Sequence, residues 1–316
     1  MAKAPTLTYH KEFNPKRVER PVEPQAEAGD QRRAVTYVYS EEIILRVNIA
    51  LATQRPLLVR GPSGTGKSSL ARSVAQVLSW RYYETVITSR TQARDLLWQV
   101  DLLSRLHDAQ SSRRRFDADY GPYVIPGPLW WAFDRTSARA QRVRSAAHRT
   151  GSEFDPNLGS GHERAVVLLD EIDKADPDTP NNLLVPLGSL QFQVEETGQI
   201  VKTTAERAPL IVITTNDERE LPLAFLRRCI ALELDYPTRE GLVEIGSAQF
   251  PEVGEELLAD VAQAMLPKDG GPSTSAAEYI DALRACFHLD LYPGTPAFNQ
   301  LLSATVWKHG RKEPGR

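Results

Sequence analysis

Gly61-Pro-Ser-Gly-Thr-Gly-Lys-Ser68 is the stretch that decides the fold. It fits the pattern G-x-x-x-x-G-K-[ST]. It lies between an apolar run, Leu57 to Arg60, and a segment whose Leu70, Val74 and Val77 recur at helical spacing. A strand, a glycine-rich turn and a helix in that order make a cradle for phosphate. The glycines are needed because main-chain N–H groups must turn inward around the β- and γ-phosphates, at dihedrals or approaches that a Cβ would block. Gly61, Pro62, Ser63, Gly64, Thr65, Gly66, Lys67, Ser68 and Ser69 are therefore the candidate nucleotide-binding residues. Lys67 supplies a mobile positive charge and Ser68 a hydroxyl for magnesium. The helix that begins there points the positive end of its dipole at the anion.

Downstream, Val166-Val-Leu-Leu-Asp170-Glu171 is an apolar strand ending in adjacent carboxylates, a costly ending for a buried strand unless a cation or a proton is to be met there. Successive side chains of a strand diverge, so the two acids take different work. Asp170 is the candidate magnesium holder beside Ser68, acting through the ion's water shell, and Glu171 the base that polarises the attacking water. Taken alone, a strand end with solvated acids has the same appearance; the phosphate loop upstream is what sharpens it. Leu210-Ile-Val-Ile-Thr-Thr-Asn216 ends in small polar groups, which suits a strand lying between the other two. Asn216 either orients the water or reads the γ-phosphate, or simply ends a strand and starts a turn. Leu221-Pro-Leu-Ala-Phe-Leu-Arg227-Arg228-Cys229 places two arginines at the end of a short helix. Phosphoryl transfer needs a cation against its developing charge, and an arginine can bring it from a neighbouring subunit. Arg228 and Arg227 are the candidates, set against an ordinary solvated pair at a helix C-terminus.

The rest of the chain sets the frame. With 41% hydrophobic and 25% charged residues it has the composition of a soluble globular protein. Its 38 basic and 41 acidic residues nearly cancel, so bulk charge selects neither nucleic acid nor an anionic membrane. No apolar run is long enough to span a bilayer and the N-terminus lacks a signal-peptide stretch, so a cytoplasmic location without a membrane partner is expected. Cys229 and Cys286 are too few for a disulfide framework and are expected as packing thiols. Residues 1–35 are rich in Pro, Glu, Arg, Lys and Gln and are expected as a flexible arm or extended strap. An amphipathic segment, Glu41 to Thr53, leads into the first strand. Leu57 to Val59, Thr85 to Thr88, Val166 to Leu169, Leu210 to Thr214 and Ile230 to Leu234 predict strands separated by helices, hence an α/β fold on a parallel sheet. From Pro237 the pattern is helical only: Thr238 to Ser247, Glu255 to Ala264, Ser275 to Phe287 and Pro296 to Lys308. An insertion over about 112–162 includes the polar stretch Arg135 to Ser160, with Arg135, Arg139, Arg142, Arg144 and Arg149. It is either solvated or a basic surface for a polyanion.

In their order and spacing, G-P-S-G-T-G-K-S, V-V-L-L-D-E-I-D-K-A-D, T-T-N and L-P-L-A-F-L-R-R-C resemble the motifs of a MoxR-type AAA+ ATPase. Thr88-Ser-Arg-Thr-Gln-Ala-Arg-Asp95-Leu, the G-P-L-W at Gly127 to Trp130 and Glu195-Glu-Thr-Gly198 resemble segments of that family too, so the likeness covers roughly residues 36–290. It implies a P-loop AAA+ αβ domain with a five-stranded parallel sheet over 36–236, followed by a small all-helical lid domain over 237–316. It further implies ATP and Mg2+ as ligands and a homo-oligomeric ring, such as a hexamer, with the site between subunits. Lys67, Ser68, Asp170, Glu171 and Asn216 would act in cis and Arg228 in trans. A client protein, often one with a von Willebrand factor A domain, would be remodelled. By the same likeness Tyr120 to Phe133 lies in an insertion and Gln191 to Val201 in a hairpin, both facing a partner. Trp130 and Trp131 are either core packing or an exposed aromatic grip in that insertion.

Two departures stand out. The lid should carry an arginine for the γ-phosphate in a small-Pro-Arg setting, yet Gly294-Thr-Pro-Ala297 has alanine there, so either Arg284 on the preceding helix substitutes or the contact is absent. Pro186 should kink or shorten its leucine-rich helix. Besides remodelling, two other classes fit: a motor on nucleic acid, supported only by the Arg135 to Arg149 patch and marked by steep salt dependence, and a nucleotide-gated scaffold with little turnover, against which Glu171 and Asn216 argue.

Overall fold

In the computed structural model the described residues are 9–17, 37–110, 119–146, 155, 157, 160–266 and 273–305. They fall into two compact units: 9–17, 39–59 and 74–232 build the first, while 37–38, 60–73 and 233–305 build the second.

The first helix, α1 (Glu41–Thr53), begins where the Ser40 hydroxyl accepts the N–H of Ile43 at 3.2 Å, with Glu41 and Glu42 against the positive end of its dipole. Its Ile44, Val47 and Leu51 are buried. β1 (Leu57–Arg60), α2 (Lys67–Leu78) and β2 (Arg81–Val86) follow. β2 starts at Arg81, not at Thr85 where the apolar run begins. Arg81 carries a charge into the interior, where its guanidinium donates to the carbonyls of Trp131, His162 and Glu163 and to the Tyr83 hydroxyl, so a buried strand opens on a polar residue.

Next come β3 (Trp98–Val100), α3 (Leu102–Gln110), β4 (Val124–Pro126), α4 (Pro128–Phe133) and α5 (Arg135–Ala146). β3 and β4 pair antiparallel, Gln99 opposite Ile125. α3 buries none of its side chains, and Leu102, Leu103 and Leu106 are exposed. Trp130 is fully buried with its indole N–H on Ser137 Oγ at 2.8 Å, and Trp131 is buried as well. Core packing, not an exposed grip, is therefore the role of these tryptophans. The polar helix α5 is pinned by Gln141, whose buried amide donates to Gly121 O at 2.7 Å and Val124 O at 2.8 Å.

β5 (Ala165–Asp170), α6 (Asp178–Ser189), β6 (Gln191–Gln193), β7 (Ile200–Lys202), β8 (Leu210–Thr215), α7 (Leu223–Leu226) and β9 (Ile230–Glu233) complete the first unit's elements. The five-stranded parallel sheet has the order β2-β5-β8-β1-β9, so β8 lies between β5 and β1 as its uncharged end suggested. Tyr82 pairs with Val166 and Leu168 with Val212. The expected hairpin is β6 with β7, Phe192 opposite Val201. α6 runs on to Ser189 with the buried Pro186 inside it, so the proline does not end the helix.

In the second unit, α8 (Arg239–Gln249), α9 (Glu255–Met265), α10 (Ala276–Leu289) and α11 (Pro296–Thr305) supply the four expected helices. Leu242, Leu258, Val261, Tyr279, Leu283 and Phe298 form their core. Thr238 caps α8, and Ser275 with Glu278 makes a capping box at α10.

Part of the expected N-terminal arm is in place. Phe13 is fully buried, its N–H donating to Asn48 Oδ1 at 2.9 Å while Asn48 Nδ2 returns a bond to Phe13 O at 2.9 Å. Among the described residues no helix is long and apolar enough to cross a membrane.

Candidate active site

The phosphate loop belongs to the second unit and is built from main chain. Gly61 and Gly64 have φ of 139° and 81°, and a Cβ on Gly61 would stand 2.1 Å from Leu234 O. Lys67 is buried, and its ammonium donates to Gly61 O at 2.7 Å and Pro62 O at 2.8 Å. The Thr65 hydroxyl donates to Pro62 O at 2.9 Å, and α2 begins at Lys67, so Ser68 and Ser69 stand in its first turn. Gly66 sits beneath the Tyr37 ring, and Ser63 is exposed.

The lid helix against this loop is α10. Ala277 N–H donates to Gly64 O at 3.1 Å, and a Cβ on Gly64 would lie 2.7 Å from Ser275 Oγ. Ala297 instead stands in the first turn of α11, and Arg284 is exposed and pairs with Asp281 at 3.9 Å. Among the described residues, Ser275 and Ala277 at the start of α10 are the ones that approach Gly64.

The acids belong to the first unit. Asp170 ends β5, and Glu171 follows with φ 62° and ψ 51°, a left-handed conformation that costs a non-glycine residue about 1–2 kcal/mol. What holds it is Thr214 on the neighbouring strand β8. The fully buried Thr214 hydroxyl accepts the Glu171 N–H at 2.8 Å and donates to Asp170 Oδ1. One hydroxyl therefore fixes both acids and turns them apart, as the divergence of adjacent strand residues requires. The Glu171 carboxylate takes Lys174 Nζ at 2.8 Å on one oxygen and Asn216 Nδ2 at 3.4 Å on the other. That carboxylate holds Lys174 above the ordinary lysine pKa.

Thr214 and Lys174 were within reach of the sequence. Residues at i and i+2 share a strand face, so the Asn216 that was singled out points along with Thr214. Lys174 stands three residues after Glu171, one turn on.

Arg227 and Arg228 are exposed beyond α7, and among the described residues neither guanidinium has a partner. The arginine-rich segment is less basic than its composition. Arg135 pairs with the buried Asp155 at 2.7 Å and also donates to Asn157 O and Ser160 O, and Arg144 pairs with Asp119. Arg139 is exposed, and Arg149 lies outside the described residues. Burial pushes the Cys229 thiol up to about 12 and the Cys286 thiol to about 11, which keeps both protonated and inert.

A glycine-rich loop before a helix, a five-stranded parallel sheet with an acid pair at the end of one strand, and a helical unit after it define the class of AAA+ P-loop proteins. Residues 56–229 match the family model described as AAA domain (dynein-related subfamily). The match spans more than half of the chain, and the chain belongs to this family. No curated protein matches it. Similar solved structures include a Thermotoga maritima RuvB mutant, 14% identical, with 85% of this chain and 71% of that chain covered at a TM-score of 0.46. Another is the Thermotoga maritima RuvB Holliday junction branch migration motor, 15% identical, with 84% and 67% covered at a TM-score of 0.43.

Proposed function

We propose that this chain is a MoxR-type ATPase that hydrolyses ATP-Mg2+ and uses the cycle, in a homo-oligomeric ring, to remodel a client protein. The observation that carries the chemistry is the strand order. The strands ending in Asp170, in Thr215 before Asn216, and at the entrance to the phosphate loop are three consecutive members of one parallel sheet. In this reading the loop amides and Lys67 would hold the phosphates, and Ser68 and Asp170 would offer hard oxygen donors of the kind magnesium takes. Bound magnesium would neutralise charge between the β- and γ-phosphates. Glu171 would take the proton of the attacking water, Asn216 would orient that water, and Arg228, or its neighbour Arg227, would reach the site from the next subunit.

The test is Glu171→Gln. ATP binding should remain and turnover disappear; turnover near wild-type would remove Glu171 from the role of base. Mixing Glu171→Gln with Arg228→Ala subunits should restore part of the activity, because an intact cis site then meets an intact arginine. The Glu171→Gln protein should also retain its client for identification in a pull-down, and a client with a von Willebrand factor A domain is the expected capture.

A further inference from the structure

Arg55 sits in the turn between α1 and β1 and belongs to none of the nucleotide motifs. Its guanidinium reaches the far end of α7. Nε donates to Arg228 O at 3.1 Å, and one terminal nitrogen donates to Arg227 O and, at 3.4 Å, to Cys229 O. Three successive carbonyls just beyond the end of α7 are thus collected by one planar cation. Two of them belong to the candidate trans arginines themselves and the third to Cys229.

The helix cannot fix that geometry alone. α7 spans only Leu223–Leu226, a single turn, and isolated helices of that length do not persist. Phe225 and Cys229 are buried and anchor the segment from within, which leaves the Arg227 and Arg228 side chains facing out. Beside them opens a cavity of about 460 Å³ whose wall includes Arg55, Leu184, Leu187 and Phe225, so no solid packing backs the turn on that side. Arg55 supplies the missing support.

We propose that Arg55 is a positioning residue for the trans arginine: it clamps the main chain of 227–229 so that Arg228 is presented to the nucleotide of the neighbouring subunit. The inference rests on the reading of Arg228 as that arginine. A lysine at position 55 would keep the charge but lose the fork that spans several carbonyls.

Arg55→Ala and Arg55→Lys, made in the full chain, should bind a fluorescent ATP analogue as wild-type does while kcat falls at least tenfold in the alanine variant and less in the lysine variant. Subunit mixing then locates the defect. Arg55→Ala with Glu171→Gln should regain activity, since one partner brings the cis site and the other the arginine. Arg55→Ala with Arg228→Ala should not, because both lack a working arginine. The reverse pattern, recovery with Arg228→Ala and none with Glu171→Gln, would place the Arg55 defect in the cis site and overturn the proposal. If the alanine variant does not fold, the same two mixtures are read with Arg55→Lys. Wild-type turnover in both Arg227→Ala and Arg228→Ala would instead remove the trans arginine itself, and the clamp with it.

Discussion

Thr214→Val removes one oxygen from a fully buried position and leaves the branched shape that β8 packs. Two interactions go with it: the bond to the Asp170 carboxylate, and the acceptor for the Glu171 N–H at 2.8 Å. A bond to a charged group contributes about 1.5–3 kcal/mol and an orphaned donor costs about 1–3 kcal/mol. Because the two share an atom they do not simply add, and a loss of about 3 kcal/mol is the working figure. At about 2.1 cal/mol/K of unfolding entropy per residue, that corresponds in a chain of 316 residues to a fall in Tm of roughly 4–5 °C. The functional effect is separable from it. With Asp170 as the proposed magnesium holder, Thr214 stands behind a metal ligand, and such residues typically carry about 10–100-fold in metal affinity or activity, so the Mg2+ midpoint for ATP hydrolysis at saturating ATP should rise by that factor. Thr214→Ser, which restores the hydroxyl, should recover most of it. The assay is a magnesium titration of turnover beside a thermal melt of the same preparations. A valine variant that melts early but keeps the wild-type magnesium midpoint would refute the reasoning, because Thr214 would then support the strand and not the ligand.

Gly61→Ala should abolish ATP binding and lower Tm, since its Cβ would stand 2.1 Å from the Leu234 carbonyl at a φ of 139°; a fluorescent-nucleotide titration checks it, and wild-type affinity would show that the loop is free to move. Trp130→Ala should cost about 3–5 kcal/mol in denaturant unfolding, because the indole is fully buried and bonded to Ser137; an unchanged midpoint would contradict its place in the core. Stability should decline in alkali. Burial raises the folded Cys229 and Cys286 thiols to about 12 and about 11 from an ordinary value of 9.0, so the unfolded chain loses these protons first as pH rises. The contribution is present in full below that ordinary value and is lost through the folded values. Denaturant midpoints measured between about pH 8 and pH 11 should fall, and Cys229→Ala should flatten the curve.

The strands that were legible in the sequence are those whose burial is apolar along their length. Val166 to Leu169 and Leu210 to Thr214 announce themselves because both faces of a central parallel strand are covered. β2 is buried at its start through hydrogen bonds from Arg81 to main-chain carbonyls, and no count of apolar residues detects that. Pro186 does not end its helix, which runs on to Ser189: it stands close to the last turn, where a lost hydrogen bond is tolerated better than at the helix centre. The tryptophans are ambiguous in the sequence because an indole serves a core or an interface equally well, and their burial, with Ser137 taking the Trp130 N–H, decides for the core.

Site residues divide along a different line. Lys67, Ser68, Asp170 and Glu171, the residues of the proposed site, stand out in the sequence because the chemistry proposed for them requires fixed residue types at fixed spacing. Arg55 could not, because it works through carbonyls, and any residue has a carbonyl; the residues it holds lie far downstream and carry no complementary signal. Gly64 shows how one constraint can conceal another. Its place in the motif is explained in full by phosphate chemistry, so nothing prompts a search for a second cause. Yet at that glycine a side chain would also meet Ser275, and the carbonyl is taken by Ala277 N–H at 3.1 Å. A contact between main chain and the first turn of a helix demands only that the residue be small. Ser275 therefore carries no signal of its own in the sequence, whereas Ala297 is conspicuous only because the resemblance implies an arginine for the γ-phosphate there.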